Sequence, residues 1–264
     1  MSCPDIDDSA KNVPEPAITL SVVIPAHNEE RVIEETVRSF VTILRNEGIT
    51  HELLIVNDNS VDSTQDVLAE LCRQLPTVRY INNRGSRGFG EAVKCGLNNF
   101  NGECVAIVMA DGSDDPNDLV RFFRKWSDGY DCVFGDRFNK NSKIVGYPWP
   151  KLCLNRLGNN LIRFLFLISY RDVSNAFKLY SRNVATDLYP LQSSGFNLTV
   201  EMPLKSIVKN YTYAVVPNNW YNRNAGRSKW KINETLTGYL IIVWKCWLEK
   251  FANRKNVSHH HCDK

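Results

Sequence analysis

Short apolar runs alternate with helical periodicities through the first half of the chain. Leu20 to Pro25 (LSVVIP), Glu52 to Val56 (ELLIV), Val78 to Ile81 and Val105 to Ala110 (VAIVMA) lack a clean in/out alternation, which suits strands covered on both faces. Between them the apolar positions fall at helical spacing. Val32, Ile33, Val37, Phe40, Val41 and Leu44 form one stripe, started by His27, Asn28, Glu29 and Glu30 and ended at Gly48. Asp62 and Ser63 open a second helix reaching about Leu75, and a third runs through Leu97 and Phe100. Strand and helix in strict alternation predict an α/β fold, with a mostly parallel central sheet and right-handed crossovers.

In such sheets ligands bind beyond the carboxyl ends of the strands. The run at Val105 stops there on Asp111, followed by Asp114, Asp115 and Pro116. Carboxylates this close repel one another unless a cation sits among them, and a hard ion such as Mg²⁺ or Mn²⁺ with substrate phosphate oxygens is the expected partner. Asp115, just before a proline, also reads as the cap of the next helix, and both roles are compatible. The ends of the other strands carry Asn28 and Glu29, Asp58, and the Arg84 to Gly90 loop, so these residues and Asp111 are expected to line one cleft. The GSRGFG loop lacks the G-x-G-x-x-G order and follows the third strand, which argues against a dinucleotide-binding site. Its glycines instead suit close approach of backbone to a ligand, with Arg84 and Arg87 nearby.

The second half is less regular. Asp131 to Gly135 is a strand ending just before Arg137, and Pro148 to Tyr170 is helical, with an apolar side that suits either core or lipid. Asp172 to Tyr180 reads as a turn feeding a strand, Phe196 to Val208 as a loop and helix carrying Glu201 and Lys205, and Tyr211 to Val216 as a late strand. A cationic loop follows with Arg223, Arg227, Lys229 and Lys231 around Gly226. Residues 232–251 predict a last helix. Its Trp244, Trp247 and Tyr239, with Lys245 and Lys250, suit equally a packing helix and one lying in a membrane interface. The expected divisions are a flexible leader over 1–17, a catalytic domain over 18–231, an amphipathic helix over 232–254 and a disordered tail over 255–264.

Composition adds exclusions. With 43% hydrophobic and 23% charged residues among 264, the chain is ordinary globular material, and a net charge of +3 gives no reason to expect nucleic acid. The eight cysteines are scattered without a CxxC pair and read as reduced thiols in a cytosolic protein. No apolar run approaches the roughly 18 to 20 residues of a membrane-crossing helix. The N-terminal stretch lacks the apolar segment of a secretory signal, so the sequons at Asn197, Asn210, Asn233 and Asn256 are expected to stay unmodified. The expected location is cytoplasmic, peripheral at the membrane face.

Together SVVIPAHNEE, IVNDNSVDST, RGFGEAVKCGL, VMADGSDDP, GDRF, DVSNAFKLYSR, FNLTVEMPLK and NRNAGRSKWKI resemble family 2 glycosyltransferases of the GT-A fold. Within that family the likeness is to the polyprenyl-phosphate sugar transferases typified by dolichyl-phosphate mannose synthase, from about Leu20 to Lys231. The resemblance implies donor contacts at Pro25, Ala26, Asn28 and Glu29, base recognition at Asp58, and further donor contacts at Arg84 and Ala110. Asp111 matches the second acid of the metal-holding DxD-type motif. Met109 stands where the first acid would be, and Ser113 where a glutamine is frequent, so coordination would fall to Asp111 with Asp114 or Asp115. Arg137, Arg223 and Lys229 match cations that hold donor diphosphate and acceptor phosphate.

The expected reaction is inverting, metal-dependent transfer of a hexose from GDP-mannose or a UDP-sugar to polyprenyl phosphate. A phosphate acceptor is already ionised at neutral pH and needs no base, whereas a hydroxyl acceptor does. Asp114, Asp115 and Glu201 are the carboxylates open to that role. The alternatives are a soluble GT-A transferase acting on a glycan or small-molecule hydroxyl, a sugar nucleotidyltransferase, and a binding subunit without activity.

Overall fold

The computed structural model describes residues 18–222 and 232–259. Along the chain these form β1 (Leu20–Ala26), α1 (Ile33–Asn46), β2 (His51–Asn57), α2 (Thr64–Gln74), β3 (Val78–Asn82), α3 (Phe89–Leu97) and β4 (Cys104–Ile107). Then come α4 (Pro116–Ser127), β5 (Cys132–Asp136), β6 (Ile144–Val145), α5 (Trp149–Phe166), β7 (Lys178–Ser181), α6 (Arg182–Asp187) and α7 (Leu198–Val208). The last elements are β8 (Tyr213–Pro217), β9 (Trp220–Tyr221) and α8 (Ile232–His259).

The main sheet has seven strands in the order β3-β2-β1-β4-β7-β5-β8. The first four pair in parallel, while β7 enters between β4 and β5 antiparallel to both. β5 and β8 are again parallel, and β6 and β9 form a separate two-stranded ribbon. Each strand sends alternate side chains to opposite covers. Val22, Ile24, Leu53, Ile55 and Ala106 join the cluster beneath α1, α2 and α4. Val23, Leu54, Val56, Val105 and Ile107 join the one beneath α3, α7 and α8. Both faces are therefore apolar, which is why the runs carry no polar alternation.

Two elements differ from the sequence pattern. The apolar run predicts a strand to Ala110, but β4 ends at Ile107, because its neighbour β7 begins at Lys178, the partner of Ile107. The last helix continues to His259, beyond the expected boundary at 254, since neither proline nor glycine follows Gly238 to stop it. None of the helices among the described residues is long and apolar enough to cross a membrane.

At the amino edge of the sheet, a buried carboxylate ties three strands together. Glu52 of β2 accepts hydrogen bonds from Ser21 of β1, from Arg79 of β3 at 2.7 Å, and from the Asn101 backbone amide at 2.6 Å. Burial pushes its pKa up, but these donors outweigh burial and hold the carboxyl below the usual range.

Candidate active site at the carboxyl edge of the sheet

The turns that follow β1, β2 and β3 are bonded into one unit. Asn28 sits in the left-handed region at φ 55°, which asparagine tolerates, and its Oδ1 accepts from the Val61 amide at 2.8 Å. Its own amide donates to Ser60 Oγ at 3.0 Å, and the Glu29 amide to Thr64 Oγ1 at 2.9 Å. His27 Nδ1 lies 2.8 Å from the Asp58 carbonyl, and the Asp58 amide donates to the Ala26 carbonyl at 2.8 Å. Asp58 is buried, with Oδ1 accepting from Asn83 Nδ2 at 2.8 Å and Oδ2 from the Gly88 amide at 2.9 Å. The Arg84 to Gly90 loop is thereby fastened to the Asp58 turn, leaving Arg84 and Arg87 exposed on it. Pro25 and Ala26 close β1 in register with Val56 and Asn57.

At the end of β4 the three expected metal ligands part company. Asp114 is buried and accepts the Met109 amide at 2.9 Å; burial pushes its pKa up to about 7 despite that bond, and the nearby Asp111 charge adds to the rise. Asp115 caps α4, accepting from the Asn117 amide at 2.9 Å. Asp111 is half-buried, and its Oδ1 accepts from the Ser113 amide at 3.2 Å. The Ala110 carbonyl accepts from Thr36 Oγ1 at 3.1 Å, anchoring this strand end to α1. Among the described residues, no three histidine, cysteine or acidic side chains are arranged to hold a metal. All three carboxylates of the turn thus accept a backbone amide, Asp114 at the strand end and Asp115 at the helix start. Asp111 offers carboxylate oxygen, a donor that suits a hard divalent ion completed by phosphate oxygens rather than a closed protein cage.

The acidic turn also receives the chain from the far end of the sequence. Trp220 bridges Asp114, and the Tyr221 amide donates to the Ser113 carbonyl at 3.2 Å. Buried Asp118, pushed up to about 6 by burial, accepts from the Asn219 amide at 2.6 Å and from Arg121. The cationic loop that follows, with Arg223 and Lys229, lies outside the described residues; Asn222, just before it, donates its amide to the Val145 carbonyl at 2.9 Å.

Arg137 follows β5 and is almost enclosed. Its Nε and Nη2 each lie 2.8 Å from the carboxylate of Asp172, whose Oδ2 also accepts the Arg137 amide. Burial alone would lower the guanidinium pKa; the Asp172 charge and these bonds outweigh it and keep the group protonated. Phe138 and Tyr147 flank it at 5.6 and 5.9 Å, and the same two rings carry Arg156 at 4.9 Å and Lys151 at 5.8 Å. Lys178, which sequence reading passed over as a strand residue, is buried and donates to the carbonyls of Val173, Asn175 and Thr199, with burial pulling its pKa down to about 7. Asp172 and Asn83 were equally hidden, because a carboxylate or amide in a loop carries no periodic signal.

The profile described as "Glycosyl transferase family 2" matches residues 21–188, which span every one of the strand-end turns from Asn28 to Arg137. The chain belongs to glycosyl transferase family 2. The transferase is 28% identical over 214 residues to the polyprenol monophosphomannose synthase of Mycolicibacterium smegmatis, covering 79% of each chain. It is 27% identical over 231 residues to the dolichol-phosphate mannosyltransferase of Pyrococcus furiosus, covering 86% of this chain and 63% of that protein. A solved structure of glucosyl-3-phosphoglycerate synthase from Mycobacterium tuberculosis, in complex with Mn²⁺, UDP and phosphoglyceric acid, superposes with a TM-score of 0.64 at 19% identity, covering 88% of the transferase and 78% of that chain. The same enzyme with Mg²⁺ and UDP gives 0.63 at 18% identity, covering 88% and 79%. The GT-A fold is therefore shared, with the strand-end edge that the sequence pattern singled out in the same architecture.

Proposed function

We propose that this transferase moves a hexose from a nucleotide sugar, GDP-mannose or a UDP-sugar, to polyprenyl phosphate at the cytoplasmic face of a membrane. The observation that carries the reading is the meeting of a cluster of cations, Arg137, Lys151 and Arg156, with exposed apolar helix faces. α5 begins beside Arg137 with Lys151 and Arg156 on the Tyr147 and Phe138 rings, and its outer side exposes Trp149, Leu157, Phe164 and, just past its end, Leu167. α8 packs beside it and exposes Leu240, Ile241, Trp244 and Leu248. So much large apolar surface on helices beside a cluster of cations matches a ligand with an anionic head and a hydrocarbon tail. The two mannosyltransferase relatives are named for polyprenol and dolichol phosphate products.

In this reading the turns bearing Pro25, Ala26, Asn28, Glu29, Asp58 and Arg84 bind the nucleotide, and Ala110 and Asp111 approach its diphosphate. Asp111 would hold Mg²⁺ or Mn²⁺, which when bound supplies positive charge to the departing diphosphate. Arg137, Arg223 and Lys229 would add fixed positive charge around the two phosphates. The acceptor oxygen attacks the anomeric carbon as the bond to the diphosphate breaks, with inversion. The three carboxylates able to serve a hydroxyl acceptor are all engaged by backbone amides: Asp114 by Met109, Asp115 by Asn117, and Glu201 by Gln192 and Ser193.

Incubation with radiolabelled GDP-mannose or UDP-glucose and polyprenyl phosphate in vesicles tests the proposal. Label extractable into organic solvent and abolished by EDTA is the expected result. Label confined to water-soluble products with every donor rejects it in favour of a hydroxyl acceptor.

A further inference from the structure

The start of α3 is capped in an unusual way. Its N-cap residue is Gly88, which has no side chain to accept the free amides of the first turn. Their acceptor comes from elsewhere: the Ser194 carbonyl takes the Gly90 amide at 2.9 Å and the Glu91 amide at 3.2 Å. The approach is so close that a Cβ on Gly88 would lie 2.5 Å from Ser194 O, and one on Gly90 2.6 Å from Ser193 O. Phe89 and Phe196 stack across the same junction with centroids 4.5 Å apart.

The segment that delivers this carbonyl is itself gripped by α7. Glu201, only 2% exposed, accepts the Gln192 and Ser193 amides at 2.8 Å each, one on each carboxylate oxygen. One turn later Lys205 donates to the carbonyls of Leu188 and Pro190 at 2.8 and 2.6 Å. Acid and base on one helix face thus fix both backbone polarities of a single loop. The amide of Gly88, at the other side of the junction, is the donor to Asp58 Oδ2. A continuous chain of contacts therefore runs from Glu201 through residues 192–194 and the α3 start to the Asp58 carboxylate.

We infer that Glu201 is a positioning residue for the nucleotide: by holding the 192–194 backbone against Gly88 and Gly90, it sets where the Asp58 carboxylate stands. The inference rests on Asp58 lying in the donor site. Glu201 touches neither donor nor acceptor in this account and takes no part in proton transfer. Its neutral analogue would keep the shape but weaken one of the two amide contacts, since a side-chain amide offers a single acceptor oxygen.

Glu201→Gln and Asp58→Asn, prepared in the full chain, are compared with the unchanged protein in three measurements: nucleoside-diphosphate affinity by calorimetry with GDP and UDP, the split of donor KM and kcat, and hydrogen exchange of the peptide spanning 84–92. For Glu201→Gln the expected result is faster exchange in that peptide, with affinity and donor KM worse by roughly tenfold, the scale of one lost charge-assisted hydrogen bond. kcat should stay within about twofold, because the reacting groups are untouched. Unchanged exchange, or a fall in kcat at constant KM, overturns the inference. If Asp58→Asn weakens nucleotide binding and Glu201→Gln does not, only the positioning role falls. If Asp58→Asn leaves binding intact, the donor-site reading falls as well. Should Glu201→Gln lose cooperative folding, Gly90→Ala attacks the same junction from the α3 side, and its failure to alter donor affinity overturns the inference.

Discussion

The carboxylate of Asp114 accepts the amide of Met109 at 2.9 Å, at the position where a first metal-binding acid is absent from the strand end. The bond turns Asp114 inward, and with Asp115 capping α4 it leaves Asp111 as the half-buried carboxylate not committed to a helix start.

Asp111→Asn should therefore lower glycosyl transfer by roughly a hundredfold or more, the scale on which removing one preorganised electrostatic group acts. Turnover under saturating donor and Mn²⁺ checks it, with circular dichroism to verify the fold. Activity within a few-fold of the unchanged protein would remove Asp111 from the reaction.

Asp115→Ala should act on stability rather than on chemistry. Losing the cap of α4 should cost about 1 kcal/mol in urea unfolding, while donor-induced thermal stabilisation changes little. A variant that unfolds normally but no longer responds to donor would return Asp115 to the metal site.

Glu52 governs part of the acid response. Its folded-state pKa is lowered, so the stability it contributes is fully present above the ordinary carboxyl range and is lost as pH falls through the folded value. Glu52→Gln should be less stable than the unchanged protein by about 2 kcal/mol at neutral pH, from weakened charge-assisted hydrogen bonds. The gap should close as the medium is acidified below about pH 4. Denaturant melts across that range provide the measurement, and a gap independent of pH would show that the charge is not what matters.

The exposed helix faces predict membrane binding. Replacing Phe164 and Trp244 together by serine, at positions 77% and 58% exposed, should reduce co-flotation with anionic vesicles by more than tenfold, given about 2 kcal/mol for burying each large apolar side chain. Donor-induced thermal shifts should remain. Equal flotation of both proteins would assign these faces another role.

Legibility in the sequence followed the physics of each feature. β1 to β4 are plain because strands covered on both sides leave uninterrupted apolar runs, and their polar ends name the Asn28, Asp58 and Asp111 turns directly. β7 is harder: at four residues it carries little periodicity, and nothing in DVSNAFKLYSR says that it runs against its neighbours. The acidic turn shows its charges but not their division, since sequence does not reveal which backbone amides lack partners. Glu201 and Lys205 look like ordinary helix-surface residues at i,i+4 spacing. Only their burial against residues 188–193 marks them as a clamp.

The antiparallel β7 has a consequence for biosynthesis. β4 pairs with β1 on one side and with β7 on the other, yet β7 is separated from it by the whole of α4, β5, β6 and α5. On the ribosome, the hydrogen-bonding groups along that side of β4 face water until residues 178–181 emerge, so the nascent first half presents an open sheet edge. Premature termination before that point yields a fragment prone to pair with its own copies, and chaperone dependence should drop once Ser181 is out.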